Sequence, residues 1–399
     1  MSALLTISDA AIKVGVSTDT IRRWEKKGLI KSQRSESNYR LFELPEIQNL
    51  YKKISGDHSI NLYKILRSSK RTNYTVIDLF SGAGGTALGL DNAGLNHILL
   101  NEFDKSAAET LTTNRKDWDI ICDDIKNINF HKYKGSADIV EGGFPCQAFS
   151  YAGRKMGFED ARGTLFYEFA RVVKEVQPKI AIGENVKGLL RHNNGETLKA
   201  MLEVLSEIGY RAEYKVLRSQ YLDVPQKRER LVIIAVRDDL DLPIIYPEEK
   251  NYTISIHEAI GDKPEAPGQS YAQRKKEIMK LVPEGGYWRD LPDDVQIEYM
   301  KASYGQTGGK TGMARRLSWH EPSLTLTCTP AQKQTERCHP EETRPLNVRE
   351  YARIQTFPDS WKFSGSVSAQ YKQIGNAVPV NLGYHIGTSV INILNGNAN

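Results

Sequence analysis

TVIDLFSGAGGTA, residues 75 to 87, is an apolar run that breaks into a glycine-rich turn and then into helix-forming residues. Gly82, Gly84 and Ala87 match a turn whose bare backbone can approach a cofactor. Similar apolar runs follow: HILLNE at 97–102, ADIVEGG at 137–143, KIAIGEN at 179–185 and RLVIIAV at 230–236. Helix-length segments such as GTLFYEFARVVKEV (163–176) and GETLKAMLEVLSEIG (195–209) separate them. This alternation predicts an α/β fold, a doubly wound and mostly parallel sheet with helices on both faces. Ligands of such sheets sit beyond the carboxyl ends of the strands. Glu102 ends the second run, 20 residues after Gly82, where a carboxylate can grip ribose hydroxyls. Asp124, after a third short strand, can accept from an adenine amino group. Taken alone, this pattern also fits a nicotinamide cofactor, or a tight structural turn with no ligand.

Length and composition narrow the class. The 399 residues allow two or three domains, with 54 Lys+Arg against 49 Asp+Glu, 40% hydrophobic and 26% charged. These proportions exclude collagen-like, disordered and coiled-coil chains. No apolar run has the roughly 18 residues that a membrane span needs. The first residues, interrupted by Ser, Asp and Lys, show no secretory leader. Cys122, Cys146, Cys328 and Cys338 form neither a disulfide framework nor a pair with zinc-site spacing. The expectation is a cytoplasmic protein with no metal.

Basic charge is concentrated at the start, net +7 over residues 1–71, leaving −2 for the remainder. A second basic stretch, 301–340, contains YGQTGGKTGMARR. Both are candidates for contact with a polyanion. The N-terminal segment predicts short helices, with Ser17 capping STDTIRRWEKKG and Gly28 stopping it. Ile21 and Trp24 would face a small core, leaving Arg22 and Arg23 outward. With Asn38, Tyr39 and Arg40 in a following wing, the pattern resembles a MerR-type winged helix-turn-helix; a solvated basic helix is the alternative. Such domains work as dimers, although no long heptad repeat is present to supply one.

The segment EGGFPCQAFSYAGRKMGFEDARGTLF, residues 141–166, carries the chemistry. Cys146 follows Pro145 directly after a buried strand, so the sulfur is expected at the cofactor edge of the sheet. The glycines after it, Gly153, Gly157 and Gly163, suit a moving lid. Glu184 ends the next strand and should stand on the same rim. Arg228 and Arg230, two apart at the mouth of another strand, suit the oxygen of a base or a phosphate. A thiolate, a carboxyl and a cofactor site together fit methylation of a pyrimidine carbon. Thiolate addition to the neighbouring ring position makes that carbon nucleophilic, and a carboxyl group stabilises the developing ring charge.

DLFSGAGG, GGFPCQAFS, GENVKGLL, VPQKRERLVIIA, RPLNVREYARIQTFPDSW and QYKQIGNAVP occur in this order between residues 78 and 379. In sequence and order they resemble the motifs of the DNA (cytosine-5) methyltransferases of restriction-modification systems. The resemblance implies Cys146 as the nucleophile on carbon 6 of a flipped cytosine, Glu184 at ring nitrogen 3, and Arg230 with Arg228 on the base. It implies S-adenosyl-L-methionine as cofactor, in a pocket lined by Phe80, Gly82, Gly84, Glu102, Asp124, Ile125, Pro145 and Asn376. Gln147, Ser150 and Arg162 fall in the loop that closes over double-stranded DNA. The last block, around Gly375, Asn376 and Val378, is implied to pack beside the first glycine turn.

The same resemblance assigns residues 239–343 to a target recognition domain, between a catalytic domain at 74–238 and its C-terminal part at 344–399. A helix-turn-helix at 1–56 and a linker at 57–73 precede them. Arg315, Arg316, Lys333 and Arg337 are the expected DNA contacts of the recognition domain, beside Arg22 and Arg23 of the N-terminal one. Alternatives are a tRNA methyltransferase of the same architecture and a DNA-binding regulator with a vestigial methylase body.

Overall fold

The computed structural model describes residues 4–35, 38–55, 61–144 and 164–397, and among residues 52–55 it describes the backbone alone. The N-terminal part runs β1 (Leu4–Thr6), α1 (Ile7–Val14), α2 (Thr18–Lys26), β2 (Ser32–Arg34), β3 (Arg40–Glu43) and α3 (Leu44–Ser55). Its three strands pair antiparallel in the order β1-β3-β2. Ser17 caps α2 by accepting from the Thr20 amide, while Ile21 and Trp24 are buried with Phe42 and Ile47 in a small core. Polar contacts tie this part to the body: Lys250 Nζ lies 3.2 Å from Glu43, and Asn251 donates to Glu46. Residues 61–73, without helix or strand, are strapped down as well, with the Leu66 amide donating to Asn381 Oδ1 at 2.9 Å.

The main sheet is built from β4 (Thr75–Leu79), β5 (Asn96–Glu102), β6 (Ile120–Cys122), β7 (Ile139–Gly142), β8 (Ile180–Val186), β9 (Tyr210–Arg218) and β11 (Glu229–Arg237), with the short β10 (Gln226–Lys227) beside it. Its order is β6-β5-β4-β7-β8-β11-β9. The first five strands are parallel, and β11 runs antiparallel to both β8 and β9. RLVIIAV is thus a buried strand as its composition predicts, but reversed. β9, which sequence reading passed over, is an edge strand whose exposed Arg211, Glu213 and Lys215 conceal the usual apolar signature.

Helices α4 (Gly85–Ala93), α5 (Lys105–Asn114), α6 (Leu165–Val176) and α7 (Glu196–Glu207) connect the strands. Residues 239–343 hold α8 (Ile256–Ile260), α9 (Gln273–Lys280), α10 (Asp293–Met300), β12 (Ser323–Leu324) and three single-turn 3-10 helices, short elements joined by irregular chain. The chain then returns to the sheet through α11 (Val348–Ile354), α12 (Val367–Asn376) and α13 (Val380–Leu394). The return is tight: a β-carbon on Gly85 would lie 2.1 Å from the Val378 carbonyl, so the last motif closes directly on the first glycine turn. Among the described residues no helix is long and apolar enough to cross a membrane.

Candidate active site

A cavity of about 720 Å³ opens beyond the carboxyl ends of β4, β5, β7 and β8. The turn after β4 forms one wall. Phe80 holds φ of 57°, a left-handed conformation unusual for a non-glycine residue, and its neighbours lead into Gly84, the N-cap of α4. Glu102 sits opposite. Its Oε2 accepts from the Gly82 amide at 2.7 Å and its Oε1 from the Asp104 amide at 2.7 Å. Burial nevertheless pushes this carboxyl above its ordinary range, against those two hydrogen bonds. Phe103, the next residue, is 73% exposed at the cavity edge. Sequence reading missed it; an aromatic directly after the strand-ending carboxylate was the available signal. Asp124 caps the turn at Ile125–Asn127 through Oδ1, which accepts from the Lys126 amide, and Ile125 is buried against the cavity.

The second wall is ionic. Glu184, near the end of β8, meets Arg230 of the antiparallel β11, with Nε 2.7 Å from Oε1. Burial pushes the Glu184 carboxyl up, and the guanidinium groups of Arg230 and Arg228 pull it back only in part. A β-carbon on Gly143 would stand 3.3 Å from Glu184 Oε2, so the carboxyl overhangs the chain just before the Pro-Cys step. Asn185, which sequence reading also missed, donates from Nδ2 to the Phe144 carbonyl at 2.9 Å and fixes that approach. Pro145, Cys146, Gln147, Ser150 and Arg162 lie outside the described residues.

Arg228 lines the same cavity but is 1% exposed. Its guanidinium donates to the carbonyls of Leu326 at 3.1 Å, Gly375 at 3.1 Å and Asn376 at 3.3 Å. Burial, with Arg230 close by, pulls it down to about 9. It therefore joins the recognition region to the last motif, acting on the shape of the pocket. Asn376, which lines the cavity, accepts from the Cys328 thiol at 3.0 Å.

The four basic side chains expected in the recognition region separate into two kinds. Arg316, 4% exposed, donates to the carbonyls of Val282 and Met279 at 2.7 Å and of His339 at 3.0 Å. Arg337, also 4% exposed, donates to the carbonyls of Glu336 at 2.6 Å and Thr325 at 2.5 Å. Both are corrected as DNA contacts, because their charged ends are spent inside the protein. Lys333 is exposed, with Nζ resting on the Tyr299 carbonyl at 2.6 Å, and the half-buried Arg315 lies 6.0 Å from the Tyr287 ring. In the N-terminal part, Arg22 and Arg23 are exposed on α2, Arg22 paired with Asp19 at 2.6 Å.

This geometry has relatives. Residues 74–392 match the model of the C-5 cytosine-specific DNA methylases, and residues 6–42 that of the MerR family of regulatory proteins. The chain is 53% identical to the Type II methyltransferase M.Eco47II of Escherichia coli, over 98% of this chain and 95% of that one. It is 51% identical to M.Sau96I of Staphylococcus aureus over 82% and 77% of the two chains. Against M.HhaI of Haemophilus parahaemolyticus the identity is 33%, over 82% and 98%. A DNA modification methyltransferase encoded within a prophage of E. coli shares the fold at a TM-score of 0.60 and 23% identity, over 81% of this chain and 100% of that one.

Proposed function

The chain belongs to the C-5 cytosine-specific DNA methylase family and is a Type II DNA cytosine-5 methyltransferase of the restriction-modification kind, and from that premise we propose how its residues divide the work. Cys146 adds its thiolate to carbon 6 of a cytosine flipped from the duplex, forming a C–S bond and making carbon 5 nucleophilic. Glu184 holds the proton that ring nitrogen 3 needs as electrons move into the ring. Its raised carboxyl suits that role, and Arg230 orients it while facing the base. Once carbon 5 is alkylated, loss of its proton and expulsion of the thiolate restore aromaticity and free the enzyme. The observation that carries this reading is the Glu184–Arg230 pair of 2.7 Å, overhanging Gly143 three residues before Cys146.

S-adenosyl-L-methionine fits the other wall. Glu102, steadied by two backbone amides, faces the cavity as a partner for ribose hydroxyls; Asp124 offers its second oxygen to an adenine amino group, and Phe103 offers an aromatic face. When bound, this cofactor supplies the methyl group as an electrophilic sulfonium. Gln147, Ser150 and Arg162 close over the DNA, and Arg315 and Lys333 meet its backbone or base edges.

Bisulfite sequencing of a host expressing the wild type or Cys146→Ser tests substrate and nucleophile together. Methylation at one recurrent site is expected in the first and none in the second; residual methylation in the variant removes Cys146 from its role. For the N-terminal part, the exposed Arg22 and Arg23 and the match to a regulator family support repression of the enzyme's own promoter, by a dimer as is usual for such domains. Arg22→Ala with Arg23→Ala should release a promoter reporter and leave methylation intact. A reporter that stays silent counts against autoregulation.

A further inference from the structure

Two carboxyl groups beneath the cofactor cavity have no part in the chemistry above. Asp78 of β4 and Glu141 of β7 are register partners on adjacent parallel strands, so both side chains leave the same face of the sheet. Asp78 has 0% exposure and Glu141 2%, and both line the cavity. The two carboxyls bear on each other at hydrogen-bonding range and the Ser81 hydroxyl bears on Asp78, but among the described residues no well-aligned partner reaches either oxygen of Asp78 or Oε1 of Glu141.

The charges around them do not neutralise the pair. Behind Asp78, His97 Nε2 stands 4.0 Å from Oδ2, but burial pulls this imidazole down to about 3, so it is neutral. Glu102 bears on Asp78 and Glu184 on Glu141, both acidic, and Arg230 on the rim is committed to Glu184. Burial pushes both carboxyls up, and Asp78 drives Glu141 further in the same direction. Two such groups side by side do not both ionise; one keeps its proton.

We propose that Asp78 and Glu141 act as one buried anion, two carboxyls with a single proton between them, which favours the cationic sulfonium of S-adenosylmethionine over the neutral thioether of S-adenosylhomocysteine. The inference rests on S-adenosylmethionine being the cofactor. The two ligands differ by one unit of charge, and a fixed charge lining the same poorly screened cavity separates their affinities by about tenfold. The arrangement favours entry of the donor and departure of the spent product. A cation in the cavity that the pair lines also weakens the hold on the shared proton, so binding of the sulfonium releases part of a proton to buffer, whereas the thioether releases none.

Titration calorimetry of the full chain tests this, using S-adenosylmethionine and S-adenosylhomocysteine in buffers of different ionisation enthalpy. The wild type should release more proton with the first ligand than with the second. Glu141→Gln should abolish that excess while keeping the affinity preference, since Asp78 stays ionised. Asp78→Asn with Glu141→Gln should lower the ratio of the two dissociation constants by about tenfold. Equal proton release in the wild type overturns the proposal. So does an excess that survives Glu141→Gln, which would place the proton on Glu102 or Glu184, or an unchanged ratio in the double variant. If the double variant does not fold, the wild-type proton count and the single variant decide. If neither ligand binds the wild type, the cofactor reading itself fails and the inference with it.

Discussion

Arg230 at the cavity and the arginines of the recognition region are put to different uses, with the cavity's Arg228 siding with the second kind through its bonds to main-chain carbonyls. At the cavity, Arg230 meets the Glu184 carboxyl on the neighbouring strand, 2.7 Å away, and gives one further hydrogen bond to the Glu229 carbonyl at 2.8 Å. In residues 239–343, Arg316 and Arg337 turn inward and hydrogen-bond main-chain carbonyls. The difference follows from the backbone. Strands satisfy their own carbonyls and leave side chains free for chemistry, whereas an irregular chain has carbonyls with no ladder to join. A guanidinium with five donors fills that need.

The contrast is open to direct attack. The largest effect should come from Glu184→Gln, which keeps the shape of the cavity and removes the proton carrier. We expect the single-turnover methylation rate to fall by roughly 10²–10⁴-fold, together with a lower melting temperature because the buried Arg230 loses its ion-pair partner. Its pH profile is the sharper measure. The carboxyl is raised and active when protonated, so wild-type rates should decline as pH rises through its pKa, a limb that the variant lacks. Arg316→Met should do the reverse, costing about 3–5 kcal/mol of stability by leaving buried carbonyls unpaired. Denaturant unfolding reads this out, and a stable variant that only loses DNA affinity would return Arg316 to the DNA surface.

A smaller effect is expected at the seam between the two regions. Asp223 accepts from His385 of α13 at 2.8 Å and from Tyr252 at the start of the recognition region. Burial raises its carboxyl, but the His385 and Tyr252 contacts outweigh this and hold it below the ordinary value. Its contribution to stability is therefore present above the unfolded pKa and lost as pH falls through the folded one. Asp223→Asn should flatten the melting temperature on the acid side only. The smallest change is assigned to Lys333→Ala: DNA affinity weakened about equally for all sequences, and a salt dependence shallower by about one.

Legibility in the sequence follows the same division. The alternating apolar runs and the glycine turn announce the sheet; the ends of two strands mark Glu102 and Glu184, and the start of another marks Arg230, because a strand's periodicity fixes where its terminal residues point. The antiparallel direction of β11 is not written locally, since a strand buried on both faces reads the same either way. Asn185 passed unnoticed because its partner is a main-chain carbonyl, which has no signature of its own. The recognition region misled for a related reason: a run of basic residues looks the same whether it faces phosphate or carbonyl oxygen.

The close approach of the Val378 carbonyl to Gly85 ties completion of the pocket to the end of translation. A ribosome that has translated the thiol loop, the acid and the whole recognition region has still not completed the pocket, because its final wall comes from the last motif. Activity should appear only as the polypeptide is being finished, and truncated translation products would carry Cys146, the proposed nucleophile, without being able to use it.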